Sequence, residues 1–394
     1  MYRKFTADHI FNGYEILTGL KVLITDIAGG IMDIVDIKDA GDNIEAFDGL
    51  LTPGFINAHC HLELSHLKGV IPQQTGLVEF VQQVIKCRTN FNELKLDAMI
   101  SAEAEMQKTG IVAVGDICNT TDSIQIKKTS KLLWRNFIEV SGFTENTAQQ
   151  RLDAGKMVHE QFETNYPGQN SLSPHAPYSV SKKLFQILNN ETADRIITIH
   201  NQECEAENDL YRTKSGSFLS LYNNLGIDAA GFEPTQKTSF QSWLPYFTKR
   251  QIVISVHNTF TNEADITFFK NREQNDINQL FFCVCINANR YIEQQNPPID
   301  LLRKNNCSIV IGTDSYASNQ GLNILEEMKS IQRETHNAIP LPELLQWATI
   351  NGAKALQVDD IAGSFKKGKQ PGVVLVDKLT NLQFTPASSA SRII

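Results

Sequence analysis

Histidine and aspartate residues recur in this chain at the ends of short apolar runs. His59 and His61 form a His-x-His pair after one run, His200 and His257 each end another run, and Asp314 follows a further one. On an extended chain, side chains two residues apart point to the same side, so His59 and His61 can aim at one ion. Imidazole and carboxylate groups are ligands that suit zinc or iron. We therefore predict a metal site built from strand ends.

The elements that must position these residues follow a strand–helix alternation. Apolar runs that predict strands begin at eight positions: Phe55, Ile111, Arg135, Ser171, Ile196, Ile252, Phe281 and Ser308. Predicted helices between them include residues 77–88, 96–108, 182–189, 324–333 and 342–348. Eight such units predict a (β/α)8 TIM-type barrel, an α/β fold in which the carboxyl ends of the strands converge on one mouth. A doubly wound sheet is disfavoured, because the first run ends in Asn-Ala-His-Cys-His instead of a glycine-rich phosphate turn.

Both ends of the chain carry strand signals outside this alternation. Residues 14–17, 21–25 and 31–35 predict short strands between glycine-containing turns, and the run from Val373 predicts a strand near the end. We expect these segments to pair in a small β-sandwich. The predicted organisation is a composite β-sandwich domain of residues 1–54 and 357–394, and a catalytic barrel domain of residues 55–356.

Charge and cysteine content exclude several classes of protein. The 394 residues include 36 Lys and Arg against 44 Asp and Glu, a formal net charge of −8, which disfavours nucleic-acid binding. The seven cysteines are odd in number and form no Cys-x-x-Cys motif, so reduced thiols in the cytoplasm are expected. No run approaches the roughly 18 apolar residues of a membrane helix, and the first residues lack a secretory apolar region. We expect a cytoplasmic protein with no membrane and no nucleic-acid partner.

Several motifs together resemble one family. The segment PGFINAHCHLE resembles the first-strand signature of the amidohydrolase superfamily of metal-dependent hydrolases. The resemblance extends to SPHAPYS, HNQE, the His257-Asn258 pair, GTDS and the closing GSFKKGKQPGVVLVD. Within the superfamily the chain is most similar to the deaminase and chlorohydrolase group, which includes cytosine, guanine and S-adenosylhomocysteine/adenosine-type deaminases and carries His-x-x-Glu after strand five, here His200 to Glu203. No lysine ends strand four, which disfavours the branches that use a carbamylated lysine.

The resemblance implies a hydrolytic mechanism that uses one divalent metal ion, with Zn²⁺ favoured and Fe²⁺ as the alternative. The implied ligands are His59, His61, His200 and Asp314. The metal would convert water to hydroxide at neutral pH, for attack on a ring carbon that bears an exocyclic amine. In this scheme Asp314 carries the water proton, His257 orients the hydroxide, and Glu203 protonates a ring nitrogen and then the leaving amine. The expected activity is release of ammonia from an amino-substituted nitrogen heterocycle, with adenine-type nucleoside derivatives as candidates.

Four residues are candidates for binding this substrate. Glu63 follows the His-x-His pair closely, and His175 lies in a proline-flanked loop and resembles a position that contacts a ribose or another polar substituent in nucleoside deaminases. Asn289 ends Cys-Val-Cys-Ile-Asn-Ala-Asn, where the family often has Cys-Pro-x-Ser-Asn. Trp243, like Arg212 and Phe218, lies in the long segment between His200 and His257. We expect part of that segment to form a lid, and packing against neighbouring helices is the alternative role for these side chains.

Other functions remain open at this point. A hydrolase of the same fold would open a cyclic amide or cleave another carbon–nitrogen or carbon–halogen bond. A further alternative, from a different functional class, is a non-catalytic metal-binding protein. Glu203 favours the deaminase, because ring protonation is the chemistry that it offers. The expected partners are a small heterocyclic substrate and, from the resemblance alone, a second copy in a homodimer.

Overall fold

The computed structural model describes residues 2–90, 92–272 and 277–394. The strands of this part are Tyr2–Ile10 (β1), Lys21–Asp26 (β2), Ile31–Asp36 (β3), Glu45–Pro53 (β4), Phe55–Cys60 (β5), Ile111–Cys118 (β6), Leu133–Val140 (β7), Asn170–Pro174 (β8), Ile196–Asn201 (β9), Gln251–His257 (β10), Ile277–Val284 (β11), Ser308–Ile311 (β12), Val373–Val376 (β13) and Ala390–Arg392 (β14). Its α-helices are Leu77–Cys87 (α1), Asn92–Lys108 (α2), Ile124–Thr129 (α3), Ala148–Asn165 (α4), Lys182–Glu191 (α5), Glu205–Thr213 (α6), Phe218–Asn224 (α7), Ser239–Trp243 (α8), Glu263–Lys270 (α9), Ile286–Glu293 (α10), Ile299–Lys304 (α11), Ile324–Glu334 (α12), Leu341–Gln346 (α13) and Gly352–Ala355 (α14).

Eight parallel strands, β5 to β12, form the body of the molecule. Hydrogen bonds join them into two sheets with the orders β5-β6-β7-β8 and β9-β10-β11-β12. The sheets meet at both edges: the amide of His200 donates to the carbonyl of His175 at 3.0 Å, and a parallel bridge joins Cys60 to Asp314. All eight strands that the apolar runs predict are present, and the predicted barrel architecture is confirmed.

Apolar runs form these strands because both of their faces are covered. Every residue of β5, β6, β9 and β10 is buried, one face towards the barrel interior and the other towards the helices. The helices between them present one apolar side to this layer, as α12 does with Leu325, Met328 and Ile331. The side chains free to do chemistry are therefore those at the strand ends.

A six-stranded sheet combines the two ends of the chain in the order β14-β13-β4-β1-β2-β3. Strand β13 pairs antiparallel with β4, with Leu375 opposite Leu51. The predicted strand at residues 14–17 is wrong: the Asn12 side-chain oxygen accepts hydrogen bonds from the amides of Tyr14 and Glu15, which closes a turn there. The division into domains at residues 54 and 357 stays a prediction.

Two further properties concern the whole described chain. All seven cysteines are free thiols. Among the described residues, no helix combines the length and the apolar character needed to cross a bilayer.

Candidate active site

Four side chains converge at the carboxyl end of the barrel. His59 and His61 lie at the end of β5, His200 lies in β9, and Asp314 follows β12. The Nε2 atoms of His61 and His200 are 3.2 Å apart. Asp314 Oδ1 lies 3.5 Å from His59 Nε2 and 3.4 Å from His61 Nε2. The elements thus aim three imidazoles and one carboxylate at a common point, and we call these four residues the strand-end cluster.

The donor chemistry of the strand-end cluster fits a divalent metal ion. His59 is fully buried, and neither of its ring nitrogens has a hydrogen-bond partner in the described part of the chain. Burial lowers the pKa of His59, and it lowers the pKa of His61 to about 3, so these rings are neutral at neutral pH. Burial alone would raise the pKa of Asp314, but the facing histidines outweigh it and the pKa is lowered. Neutral imidazoles beside an ionised carboxylate form a ligand set that zinc accepts.

Neighbouring groups fix the orientation of two members of the cluster. The Nδ1–H of His200 donates to the carbonyl oxygen of His175 at 2.8 Å, which leaves Nε2 for the cluster. Asp314 Oδ2 accepts a hydrogen bond from the Ser318 hydroxyl. Such contacts set the tautomer and the aim of metal-ligating side chains.

A second pair of titratable groups, His257 and Glu203, lies beside the strand-end cluster. His257 Nε2 is 3.6 Å from Glu203 Oε1. The Nδ1–H of His257 donates to Asn289 Oδ1 at 2.9 Å, and the side-chain amide of Asn289 donates to Thr259 Oγ1 at 2.7 Å. Burial lowers the pKa of His257 and raises the pKa of Glu203 well above its ordinary range. A neutral imidazole therefore faces a carboxyl group whose protonated form is favoured by burial.

The backbone at the strand ends is strained where these side chains turn inward. His257 and Asp314 have φ values of 69° and 56°, and Gln202, which precedes Glu203, has 47°. Such left-handed conformations cost on the order of 1–3 kcal/mol each, and they cluster at functional sites. Gly312 is needed for the close approach of β12 to β5, because a Cβ there would lie 2.8 Å from His59 Cβ.

A cavity of about 320 Å³ opens beside both groups. Its floor is formed by His61, His200, Glu203, His257 and Asp314. An apolar wall comes from α1 and from the segment between β9 and β10: Leu77, Phe80, Val81, Val84, Leu221, Tyr222, Leu225 and Ile227. Polar side chains form another part of the wall: Glu63, Asn119, Glu139 and His175. An apolar pocket with a few convergent polar groups is typical of a small-molecule site.

The predicted substrate-binding residues differ in whether their side chains line the cavity and whether they already have protein partners. His175 lines the cavity. Glu63 also lines it, but its carboxylate accepts hydrogen bonds from the amides of Asn119 and Thr120 at 3.1 and 2.9 Å, and burial raises its pKa to about 7. Asn289 is buried behind His257 and orients that ring. Both side chains thus have hydrogen-bond partners within the protein, and their contact with substrate stays a prediction.

The predicted lid residues do not face the cavity. Trp243 is fully buried, and its indole N–H donates to Asn201 Oδ1 at 2.8 Å. Arg212 forms an ion pair with Glu205 at 2.7 Å, and Phe218 is buried in a stack on Tyr178. Trp243 thus has the packing position that was the alternative to substrate contact, and its indole does not line the cavity. Other residues of that segment, from Leu221 to Ile227, do line the cavity.

Sequence reasoning missed Glu139. It lies in β7, one residue before the strand ends, and its side chain is only 10% exposed. The signal was present, since a glutamate interrupts the otherwise apolar end of the run Arg-Asn-Phe-Ile-Glu-Val. A charged residue at the carboxyl end of a barrel strand is a candidate for the site by position alone.

Comparisons with known proteins agree with this geometry. A 5'-deoxyadenosine deaminase of Methanococcus vannielii is 26% identical over 358 residues, which cover 86% of this chain and 77% of that protein. The crystal structure of Helicobacter pylori aminofutalosine deaminase in complex with methylthio-coformycin covers 100% of both chains, with a TM-score of 0.81 and 21% identity. An adenosine deaminase from Xanthomonas campestris with bound zinc covers 98% of this chain and 86% of its own, with a TM-score of 0.72 and 22% identity. At these identities the two structures support the assignment of the fold alone. The Amidohydrolase family profile, however, matches residues 50–392, and the chain belongs to this family.

Proposed function

We propose that the protein is a metal-dependent hydrolytic deaminase, which replaces an amino group on a nitrogen heterocycle by oxygen and releases ammonia. The observation that carries the proposal is the buried carboxyl group of Glu203, placed on the cavity floor and 3.6 Å from His257. Burial raises the pKa of this carboxyl group and so favours its protonated form, which can give its proton to a ring nitrogen. The similarity to a 5'-deoxyadenosine deaminase supports the same class of reaction.

One divalent metal ion fits the strand-end cluster, with zinc favoured and iron as the alternative. His59, His61, His200 and Asp314 would hold it. When bound, the ion would act as a Lewis acid and would lower the pKa of a water molecule from 15.7 to about 7.

The residues of this chain then divide the proton transfers among them. His257 has its Nδ1–H fixed on Asn289, so its Nε2 lone pair can accept a hydrogen bond from the attacking water and orient it. Asp314 can take the proton that this water loses. Glu203 gives its proton to the ring nitrogen next to the reacting carbon, then takes the hydroxyl proton of the tetrahedral carbon and gives it to the amine as the carbon–nitrogen bond breaks. The proton held by Asp314 then restores Glu203. The balance is one water consumed and one ammonia released.

The substrate class follows from the relatives and the cavity. We propose an adenine-type nucleoside derivative, since one relative is named for 5'-deoxyadenosine and a structural neighbour for aminofutalosine. The apolar wall of the cavity can cover the ring and an apolar part of its substituent. The homodimer and the cytoplasmic location stay predictions.

Ammonia release by the purified, metal-analysed protein tests the proposal. The panel contains aminopurines, aminopyrimidines, pterins and their nucleosides. We expect release from an adenine-type nucleoside, in proportion to bound metal, and a fall in kcat of about 10²–10⁴-fold in Glu203→Gln. Glu205→Gln is the matched control, because Glu205 lies two residues away on the surface.

The contrary outcome is equally clear. If no member of the panel releases ammonia although about one metal ion is bound per chain, the deaminase proposal is wrong. Cyclic amides and halogenated rings would then be tested next, since the same fold and metal-site chemistry can serve their hydrolysis.

A further inference from the structure

We propose that Gln202 is a positioning residue, which joins the turn that carries Glu203 to the turn that carries His257 and so sets how these two side chains face each other. We call residues 202–204 the Glu203 turn and residues 257–261 the His257 turn. The inference rests on the proposed function, because that function assigns proton transfer to Glu203 and orientation of the attacking water to His257. Gln202 itself is fully buried and is not part of the cavity lining.

The backbone of Gln202 makes a first connection between the two turns. Gln202 lies directly before Glu203, and its φ of 47° is in the left-handed region. Its amide donates to Glu207 Oε1 in α6 at 2.8 Å. Its carbonyl oxygen accepts from the amide of Phe260, in the His257 turn, at 3.1 Å. A strained backbone conformation persists only where the surrounding structure holds it, so these contacts keep the Glu203 turn in place.

The side chain of Gln202 makes a second connection. Its Oε1 accepts from Thr261 Oγ1, in the His257 turn, at 2.6 Å, and from the side-chain amide of Asn201 at 3.3 Å. Its Nε2 donates to Asn208 Oδ1 in α6 at 3.1 Å and to Asp265 Oδ2 in α9 at 3.0 Å. Both amide protons and the carbonyl oxygen of this side chain are therefore paired. A buried polar network with all its members paired fixes one geometry of the elements that it joins.

The His257 turn is strained as well. His257 and Asn258 have φ values of 69° and 56°, and the amide of Asn258 donates to the carbonyl of Asn201 at 3.0 Å. Two strained turns thus lie side by side, and each is held through the other. Since the 3.6 Å between His257 Nε2 and Glu203 Oε1 is measured from one turn to the other, a shift of either turn changes it. A misplacement of about 1 Å can cost on the order of 10²-fold in rate.

Gln202→Met tests the positioning role in the zinc-loaded protein. Methionine keeps the length of the side chain but has neither the amide protons nor the carbonyl oxygen. With adenosine as the substrate probe, we expect kcat for ammonia release to fall by about 10- to 100-fold, the range known for groups that orient reacting side chains. KM and bound zinc should stay within a factor of about two, because Gln202 lines no part of the cavity and is not one of the proposed metal ligands.

A milder substitution tests the same connection if Gln202→Met does not fold. Thr261→Val removes only the hydroxyl group that bonds to Gln202 Oε1, and we expect kcat to fall by about 3- to 10-fold. Thr261→Ser keeps a hydroxyl group and should retain most of the wild-type kcat. Thr267→Val is the matched control, since Thr267 is exposed on α9, and it should leave kcat unchanged.

Hydrogen exchange measured by mass spectrometry tests the connection without turnover. In Gln202→Met and in Thr261→Val, we expect the amides of both turns to exchange about 3- to 10-fold faster, while α4 exchanges as in the wild type. If the wild type releases no ammonia but both turns respond together, the connection between the turns is supported and the proposed function alone is contradicted. Wild-type kcat in the folded variants, a loss confined to KM, or faster exchange in one turn only would overturn the positioning role.

Discussion

Two clusters of buried polar groups in the interior differ in whether each polar atom has a hydrogen-bond partner. In the strand-end cluster, neither ring nitrogen of His59 has a hydrogen-bond partner among the described residues. Behind it, on β6 and α3, the carboxylate of Asp116 pairs directly with the ammonium group of Lys127, and both side chains are fully buried. Asp116 also accepts a hydrogen bond from the amide of Leu62 at 2.8 Å, and Lys127 lies 3.2 Å from Cys118 Sγ.

This difference indicates that the Asp116–Lys127 pair has a structural role and that the strand-end cluster is suited to binding. Burying an ion pair costs several kcal/mol per ion in desolvation, which is offset only where the hydrogen bonds are complete. They are complete around Asp116, and its bond to Leu62 holds the turn directly after His61. The Asp116–Lys127 pair thus supports the segment that carries His61. The strand-end cluster is the one whose side chains fit a metal ion.

The largest effect on activity is expected from a substitution in the strand-end cluster. Asp314→Asn removes its charged member, and we expect kcat to fall by about 10³-fold or more together with loss of metal. Activity and metal content by atomic absorption measure the two effects. Asp300→Asn is the control, because Asp300 has a side chain 84% exposed. A variant that keeps full activity without metal would remove the basis for the comparison.

Substitutions in the Asp116–Lys127 pair should lower the stability of the fold. Lys127→Met leaves the Asp116 carboxylate buried without its partner, and we expect the free energy of unfolding to fall by about 3–5 kcal/mol. The double variant Asp116→Asn/Lys127→Met removes both charges and should recover most of this loss. Urea denaturation measures both, with Lys128→Met as the exposed neighbour for control. If the double variant is as unstable as the single one, charge pairing is not what this cluster contributes.

A smaller effect on kcat is expected at Asn289, which belongs to neither cluster but accepts the hydrogen bond of the His257 ring. Asn289→Ala removes the acceptor of the His257 Nδ1–H, and the ring loses its fixed tautomer. We expect kcat to fall by about 10- to 100-fold with KM and metal content unchanged, in the range known for residues that orient catalytic ligands. Steady-state kinetics resolve this. A change confined to KM would instead indicate direct substrate contact, as the sequence suggested.

The smallest effect is expected at Trp243. Trp243→Phe keeps an aromatic ring in the core but leaves Asn201 Oδ1 without its donor, which should cost about 1–3 kcal/mol of stability. KM and kcat should stay within a factor of about two, because the indole does not line the cavity. Thermal unfolding and kinetics on the same sample test this. A large rise in KM would restore the lid role.

The sequence predicted the barrel and the convergence of the strand ends, because both follow from local patterns. A His-x-His pair and a strand that ends in histidine are visible within a few residues. The partners of Glu63 and Trp243 are not, since the first binds Thr120 and the second Asn201, many positions away. The Asp116–Lys127 pair escaped notice for another reason: charged residues in a sequence are taken as surface residues, and only the fold shows that these two are buried.

Glu139 shows a different limit. The alternation of a strand indicates which residues share a face, but in a barrel strand both faces are buried and the pattern has no polar side. Whether position 139 faces the mouth depends on the register of β7 against β6 and β8. That register is a property of the assembled sheet.

The bridge between Cys60 and Asp314, which joins the first barrel strand to the last, has a consequence for synthesis of the chain. His59 and His61 leave the ribosome early, and their acidic partner is translated more than 250 residues later. The histidines emerge together with unpaired strands, in a nascent chain whose sheet still has open edges. Until Asp314 is translated, the four residues of the strand-end cluster cannot come together. The order of translation therefore delays assembly of the strand-end cluster until the last barrel strand can pair with the first.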